Sequence, residues 1–279
     1  MSLRKTALAL LALAAVACSA SAISSARTGA AAGVPASREA QAKSKKTRIP
    51  ANEKSAQEEY EKGAIALRYG LTDEAIRYGE NALAFVPGYF KALALLGSAY
   101  YTKGDYARSV EAYEKAAALK PDSAEIQRNL GLAYIEVKEV EKADAALKRA
   151  FSMSGEAESA YHLARLCHAE KRFDEALDYI LKSIQRDGRS ARSYNLKGVI
   201  LNQLRRYPEA AGSFQAGLVL APGDIGLQIN LGIAYLNANE PAKAKIVLEA
   251  VLPKIEDAAL KSQVEGYLKS IKDGGEPGR

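Results

Sequence analysis

The sequence has no tryptophan, two histidines and two cysteines in 279 residues, and each scarcity removes a class of function. Cys18 directly follows a stretch read below as an export signal and is expected to be lipidated or removed, which leaves Cys167 without an intramolecular partner. No disulfide framework can hold the fold, so its stability rests on packing. His162 and His168 are six residues apart, which points them away from each other on a helix, so they make no metal pair. The glycines are spread along the chain, with no Gly-rich loop to cradle a phosphate. No nucleophile–base pair stands out either. The expectation is a protein that is not an enzyme, with no cofactor and no metal. Charge is mixed, at net +6, which describes a solvated surface and calls for no nucleic-acid partner.

What the sequence does have is a period. A small residue recurs at Gly63, Gly97, Gly131, Ala164, Gly198 and Gly232, in steps of 34, 34, 33, 34 and 34. A second small residue recurs at Ala75, Ser109, Ala143, Ala176, Ala210 and Ala244 in the same five steps, including the one-residue slip. Glycine inside a helix costs about 1 kcal/mol against alanine, so glycine kept at one phase needs a compensation. Close crossing of two antiparallel helices supplies one, if small residues such as Gly97 and Ser109, or Gly198 and Ala210, face each other there. Tyr100, Tyr134 and Tyr235 then fill the gaps around the crossings. Cys167 falls at their phase and reads as a core residue, since a thiol buried away from a base is inert.

The stretch Leu93–Pro121 carries Leu96-Gly97 with Tyr100, then Ser109, Tyr113 and Ala116, and ends at Pro121. Pro87 and Pro222 stand at the same stop position. This pattern resembles the tetratricopeptide repeat. The resemblance implies an all-α fold, a right-handed superhelical solenoid of six helix pairs. The repeats are expected at 56–89, 90–123, 124–156, 157–190, 191–224 and 225–257. A last amphipathic helix over 258–273, with Leu260, Val264, Tyr267 or Leu268, and Ile271 at helical spacing, is expected to cap the array.

The chain begins with Arg4 and Lys5, followed by an apolar run, Thr6–Ala17, that is too short for a permanent membrane span. Residues 1–17 read as a secretory signal. Ala15-Val16-Ala17-Cys18 resembles a bacterial lipobox, which would place a lipid anchor on Cys18. Ala20-Ser21-Ala22 offers an ordinary cleavage site instead. Residues 18–55, rich in Ala, Ser, Gly and Lys, are expected to form a flexible linker.

In the resembled family the first helices of successive repeats line a concave groove that holds a partner protein or peptide. Steps of i, i+3, i+7 and i+10 along those helices select Tyr60, Lys91, Tyr101, Arg128, Tyr161, Arg165, His168, Arg192, Asn195 and Asn202 as the partner-binding groove. Lys148 and Lys182, on second helices, should face outward. The carboxylate clamp of chaperone adaptors is not reproduced: Asn129 fits its middle position, but Ala94, Ser98, Glu158 and His162 hold the other four. The expected function is an exported, non-enzymatic scaffold in the bacterial cell envelope. It would be lipid-anchored at the outer membrane, facing the periplasm, and would assist assembly of a complex such as a type IV pilus secretin. An adaptor for peptidoglycan hydrolases and a soluble periplasmic co-chaperone are the alternatives.

Overall fold

The computed structural model describes residues 51–273. Among them the regular elements are thirteen α-helices and one 3-10 turn, with no strand. The helices follow in pairs: α1 (Ala51–Arg68) and α2 (Thr72–Phe85), α3 (Phe90–Lys103) and α4 (Tyr106–Leu119), α5 (Ala124–Glu136) and α6 (Val140–Ser154). Then come α7 (Ala157–Ala169) and α8 (Phe173–Arg186), α9 (Ala191–Gln203) and α10 (Tyr207–Leu220), α11 (Ile225–Asn237) and α12 (Pro241–Val251), the 3-10 turn Leu252–Lys254, and α13 (Ala258–Lys272). The signal and the anchor at Cys18 lie outside the described residues. Helix α1 starts at Ala51, so residues 51–55 are helix where the sequence suggested linker. The structure forms two compact units, one ending at Ala112 and the other starting at Tyr113.

The recurring glycines are explained by a different neighbour from the expected one. A Cβ on Gly131 would lie 2.7 Å from Leu147, one on Gly198 2.5 Å from the Phe214 ring, and one on Gly232 2.5 Å from Leu248. Leu147, Phe214 and Leu248 each stand four residues after the small residue of the second helix and are completely buried. Glycine therefore admits a large side chain against the backbone of the first helix. Small facing small is the lesser part: Gly131 does approach the Ala143 carbonyl, but at 3.3 Å from its would-be Cβ. In the first unit Ser109 Oγ donates to the Gly97 carbonyl at 2.8 Å, which ties the second helix to the first.

A third marker of the period lies in the turns between first and second helices. Gly70, Gly104, Lys138, Lys171, Arg205 and Asn239 all have φ between +57° and +84°. Their steps are again 34, 34, 33, 34 and 34. The residue after each one donates its N–H back five residues: Leu71 to Ala66, Asp105 to Tyr100, Glu139 to Tyr134, Arg172 to Cys167, Arg206 to Leu201 and Glu240 to Tyr235. This closure needs a left-handed residue, which only glycine takes without steric cost. Lys138→Gly and Arg205→Gly should therefore each raise stability by about 0.5–1 kcal/mol. Gly104→Ala should lower it by about 1 kcal/mol. Urea denaturation midpoints would read all three, and a gain from Gly104→Ala would refute the argument.

Three first helices of the second unit, α5, α9 and α11, start at side-chain caps, whereas α7 follows Glu156 without one. Ser123 accepts from Ile126 N–H, Ser190 from Ser193 N–H and Asp224 from Leu227 N–H. Asp257 caps α13 in the same way, accepting from Leu260 N–H. Each cap satisfies an N–H that the helix leaves unpaired, worth about 1 kcal/mol. Helix α13 buries Val264 and Leu268 and packs Leu260, Tyr267 and Ile271 on the core, as a capping helix should.

The tyrosines are amphipathic pins. Tyr134 donates its hydroxyl to Glu114 at 2.6 Å, and Gln215 donates to the Tyr235 hydroxyl at 2.7 Å. Lys142 and Lys243 each sit 5.5 Å from the centre of the matching ring. Repeat four lacks the tyrosine and inverts the charges. Lys148 takes the phase of Glu114 and Gln215, and Glu175 takes the phase of Lys142 and Lys243. The two meet at 3.5 Å near the buried Cys167.

Candidate protein-binding face

In the first unit the expected groove residues lean on aromatic neighbours. Tyr60 meets Tyr89 edge-on at 6.0 Å and Tyr101 meets Tyr106 at 5.3 Å, while Lys91 is exposed.

In the second unit first helices touch first helices: α5 with α7, α7 with α9, and α9 with α11. That succession brings the selected side chains of neighbouring repeats together. Arg128 Nη1 donates to Glu156 at 2.7 Å. Arg192 donates to Glu158 across α9 and α7, and its guanidinium lies 4.6 Å from the centre of the Tyr161 ring. Asn230 Nδ2 donates to Asn195 Oδ1 at 2.9 Å, joining α11 to α9. His162 Nε2 bonds Glu158 Oε1 at 2.9 Å, and its Nδ1 is buried without a partner.

Glu158 is the hub of this network. Burial alone would raise its pKa, but the bond to His162 and the charges of His162 and Arg192 outweigh that and hold it at about 2. Burial pushes His162 below the usual histidine range, against the pull of Glu158. Near neutral pH, Arg192 is therefore the cation that matters, and His162 contributes a hydrogen bond.

Three sequence assignments change in detail. Tyr161 is only 9% exposed and belongs to the core cluster, roofed by Arg192, so a partner would meet Arg192 and not the ring. Its phase lies at the boundary between groove and core, and the ring turns inward to bury apolar area. Arg128 and Arg192 are already bonded within the face. Arg165 is half-buried and makes no hydrogen bond or ion pair with any described residue. His168 packs its ring 5.7 Å from that of Phe173. His168 Nε2 and Asn202 Oδ1 are shielded from solvent without a hydrogen-bond partner.

Two members escaped the sequence-based list. Glu158 falls on the stripe by the same helical steps, but the binding residues chosen from it did not include this carboxylate. Asn230 sits one position off the stripe, which the helical steps could not select. Lys148 and Lys182 are exposed, Lys148 paired with Asp144 at 2.7 Å and Lys182 set 4.9 Å from the Tyr179 ring centre.

A set of metal-type donors also appears. Asp144, Cys167 and Glu175 place their ligand atoms within 4.8 Å of one another. Arg172 bonds both carboxylates, at 2.9 and 2.8 Å, and Lys148 bonds Asp144. Burial pushes the Cys167 thiol up to about 11, so it stays protonated at neutral pH. Two cations and a neutral thiol make a charge lattice, which is poorly suited to a cation. Among the described residues no helix is long and apolar enough to cross a membrane.

Comparison with known proteins agrees with this geometry. A family model described as "TPR repeat" matches residues 97–137, and one described as "Tetratricopeptide repeat" matches 129–191 and 183–225. The chain is 21% identical over 204 residues to BBSome complex member BBS4 of Bos taurus, covering 73% of this chain and 39% of that protein. It spans well under half the length of the curated relatives it matches. Among solved structures, Pseudomonas aeruginosa pilF matches with a TM-score of 0.64 at 19% identity, covering 78% of this chain and 99% of that one. YrrB, described as a TPR protein with an unusual peptide-binding site, matches with a TM-score of 0.57 at 17% identity, covering 67% and 97%. At these identities the structural matches speak for the fold alone.

Proposed function

We propose that this chain, a tetratricopeptide-repeat protein, is an exported scaffold of the bacterial cell envelope that holds a protein partner on the first-helix face of repeats three to six. The observation that carries the reading is the convergence of Arg128, Arg165, Arg192, Asn195 and Asn230 from four first helices onto one face. Arginine and asparagine present directional donors on stems of limited freedom, which suits recognition of a polypeptide. The lipobox-like Ala15-Val16-Ala17-Cys18 supports attachment at the outer membrane through an acylated Cys18, with residues 19–50 between the anchor and α1. A lipid chain contributes about 0.8 kcal/mol per buried methylene, so two or more chains hold the protein at the bilayer. The likeness of fold along nearly all of pilF supports the repeat-scaffold architecture that this reading requires, and the lipobox-like start leaves assistance to a complex such as a pilus secretin as the role proposed. Ala20-Ser21-Ala22 favours a second reading, a soluble periplasmic form cleaved after Ala22.

Cys18→Ser separates the two. Under the anchored reading the variant moves from the membrane fraction to the soluble fraction with its helicity unchanged. If wild type and variant both fractionate as soluble, the protein is the cleaved form. A crosslinking pulldown from membranes then identifies the partner, and recovery of a peptidoglycan hydrolase in place of a secretin would redirect the assignment.

A further inference from the structure

The geometry points to a partner segment that carries an aspartate or glutamate side chain, its carboxylate paired with Arg165. This deepens the reading of the first-helix face as a protein-binding surface and rests on it.

The face presents three guanidinium groups, and two are already taken up, Arg128 by Glu156 and Arg192 by Glu158. Arg165 has no hydrogen bond or ion pair among the described residues, and it is half-buried. Its row contains no other charge: at the same phase the neighbouring first helices carry Leu132, Val199 and Ile233, each half-buried. A lone cation in an apolar, partly dehydrated strip attracts a single carboxylate more strongly than the same cation in open water. Arginine can grip that carboxylate with two parallel hydrogen bonds.

A second observation is independent of charge. One turn further along α7 and α9, His168 Nε2 and Asn202 Oδ1 are shielded and unpartnered. Buried polar atoms are nearly always satisfied, and because His168 and Asn202 are themselves only half-buried, a small turn of either side chain on binding brings its unpaired atom to a partner. A peptide backbone N–H meets the need of Asn202 Oδ1, which can only accept. An extended segment lying across the apolar row would bring its backbone to Asn202 and a side-chain carboxylate to Arg165.

The same arrangement disfavours a polyanion. A phosphate backbone requires several free cations in line, whereas Arg128 and Arg192 are neutralised and Glu156 and Glu158 would repel it. Arg165 also stands outside the carboxylate-clamp positions, two of which are held here by Glu158 and His162.

The test is selection of a phage-displayed library of random twelve-residue peptides on the purified full chain. Selected peptides should share an acidic residue at one fixed register. Arg165→Glu should switch that register to Lys or Arg, and Arg165→Gln should weaken a synthesised selected peptide at least tenfold by fluorescence anisotropy. Lys182→Glu should change neither selection nor binding, and circular dichroism should be unaltered in all three variants. Selected peptides without an acidic register, or with one that persists in Arg165→Glu or disappears in Lys182→Glu, overturn the proposal and leave peptide binding standing. Failure to select any peptide on the folded wild type overturns the binding-face reading as well.

Discussion

Gly131→Leu should lower the stability of the second unit by about 3 kcal/mol or more, the upper part of the range for overpacking a core. Even a Cβ at this position would sit 2.7 Å from Leu147 Cγ and 3.3 Å from the Ala143 carbonyl oxygen. Leu147 is fully buried, so it cannot swing into water. The helices must move apart or the leucine must leave its rotamer, and both lose contacts in a close-packed interior. The matched control is Gly212→Ala in the middle of α10, where an added Cβ meets nothing within 4 Å. There the helical preference for alanine acts alone, and stability should rise by about 0.5–1 kcal/mol. Urea denaturation followed by circular dichroism reads both. Equal, small effects at Gly131 and Gly212 would show that the packing phase is misassigned. Because such arrays couple mainly through neighbours, amide exchange in Gly131→Leu should increase first in α5 to α8.

Glu158→Gln should be the most costly polar change, by about 1–2 kcal/mol at pH 7, because it removes the charge opposite Arg192 and weakens the bond to His162. The full pKa displacement would imply more, but about a third of the Glu158 side chain is in water, which screens the pair. The sign in pH follows from the folded-state value of about 2. The Glu158 contribution is complete above the ordinary glutamate range and is lost as pH falls from about 5 towards 2. His162 acts in the same direction. Its folded-state value is depressed by burial, so its contribution is present above the ordinary histidine range and fades as pH drops below it. The stability gap between wild type and Glu158→Gln should narrow between about pH 5 and 2, where the unfolded chain takes up a proton at Glu158 that the folded network still excludes. A gap that stays constant across that window would mean that Glu158 is not held ionised by this network.

The sequence made the repeat legible because spacing along one strand of text is all that a period requires. Two small-residue series with one shared slip located six helix pairs to within a few residues, and the capping helix could be read from its apolar stripe. The glycines were visible as a series, yet their true neighbour was not. Leu147, Phe214 and Leu248 are ordinary large apolar residues in sequence, and only the crossing geometry turns each onto a glycine. The left-handed turn series was equally regular, but Lys138, Lys171 and Arg205 carry no chemical mark of their φ. Gly70, Gly104 and Asn239 alone hinted at it.

At the binding face, helical steps selected which side chains share a stripe, since that depends only on position along one helix. They could not say which members bond one another, because those partners lie about a repeat away, across the packing of separate helices. Thus the sequence by itself determined an all-α repeat architecture, its register and the row that contains Arg165. The tertiary structure decided that Tyr161 turns into the core, that Glu158 and Glu156 neutralise Arg192 and Arg128, and that Arg165 is left unpaired. The physical reason is one of range: periodicity is fixed by local backbone geometry, whereas burial and charge pairing are fixed by side chains that meet only when one helix packs against the next.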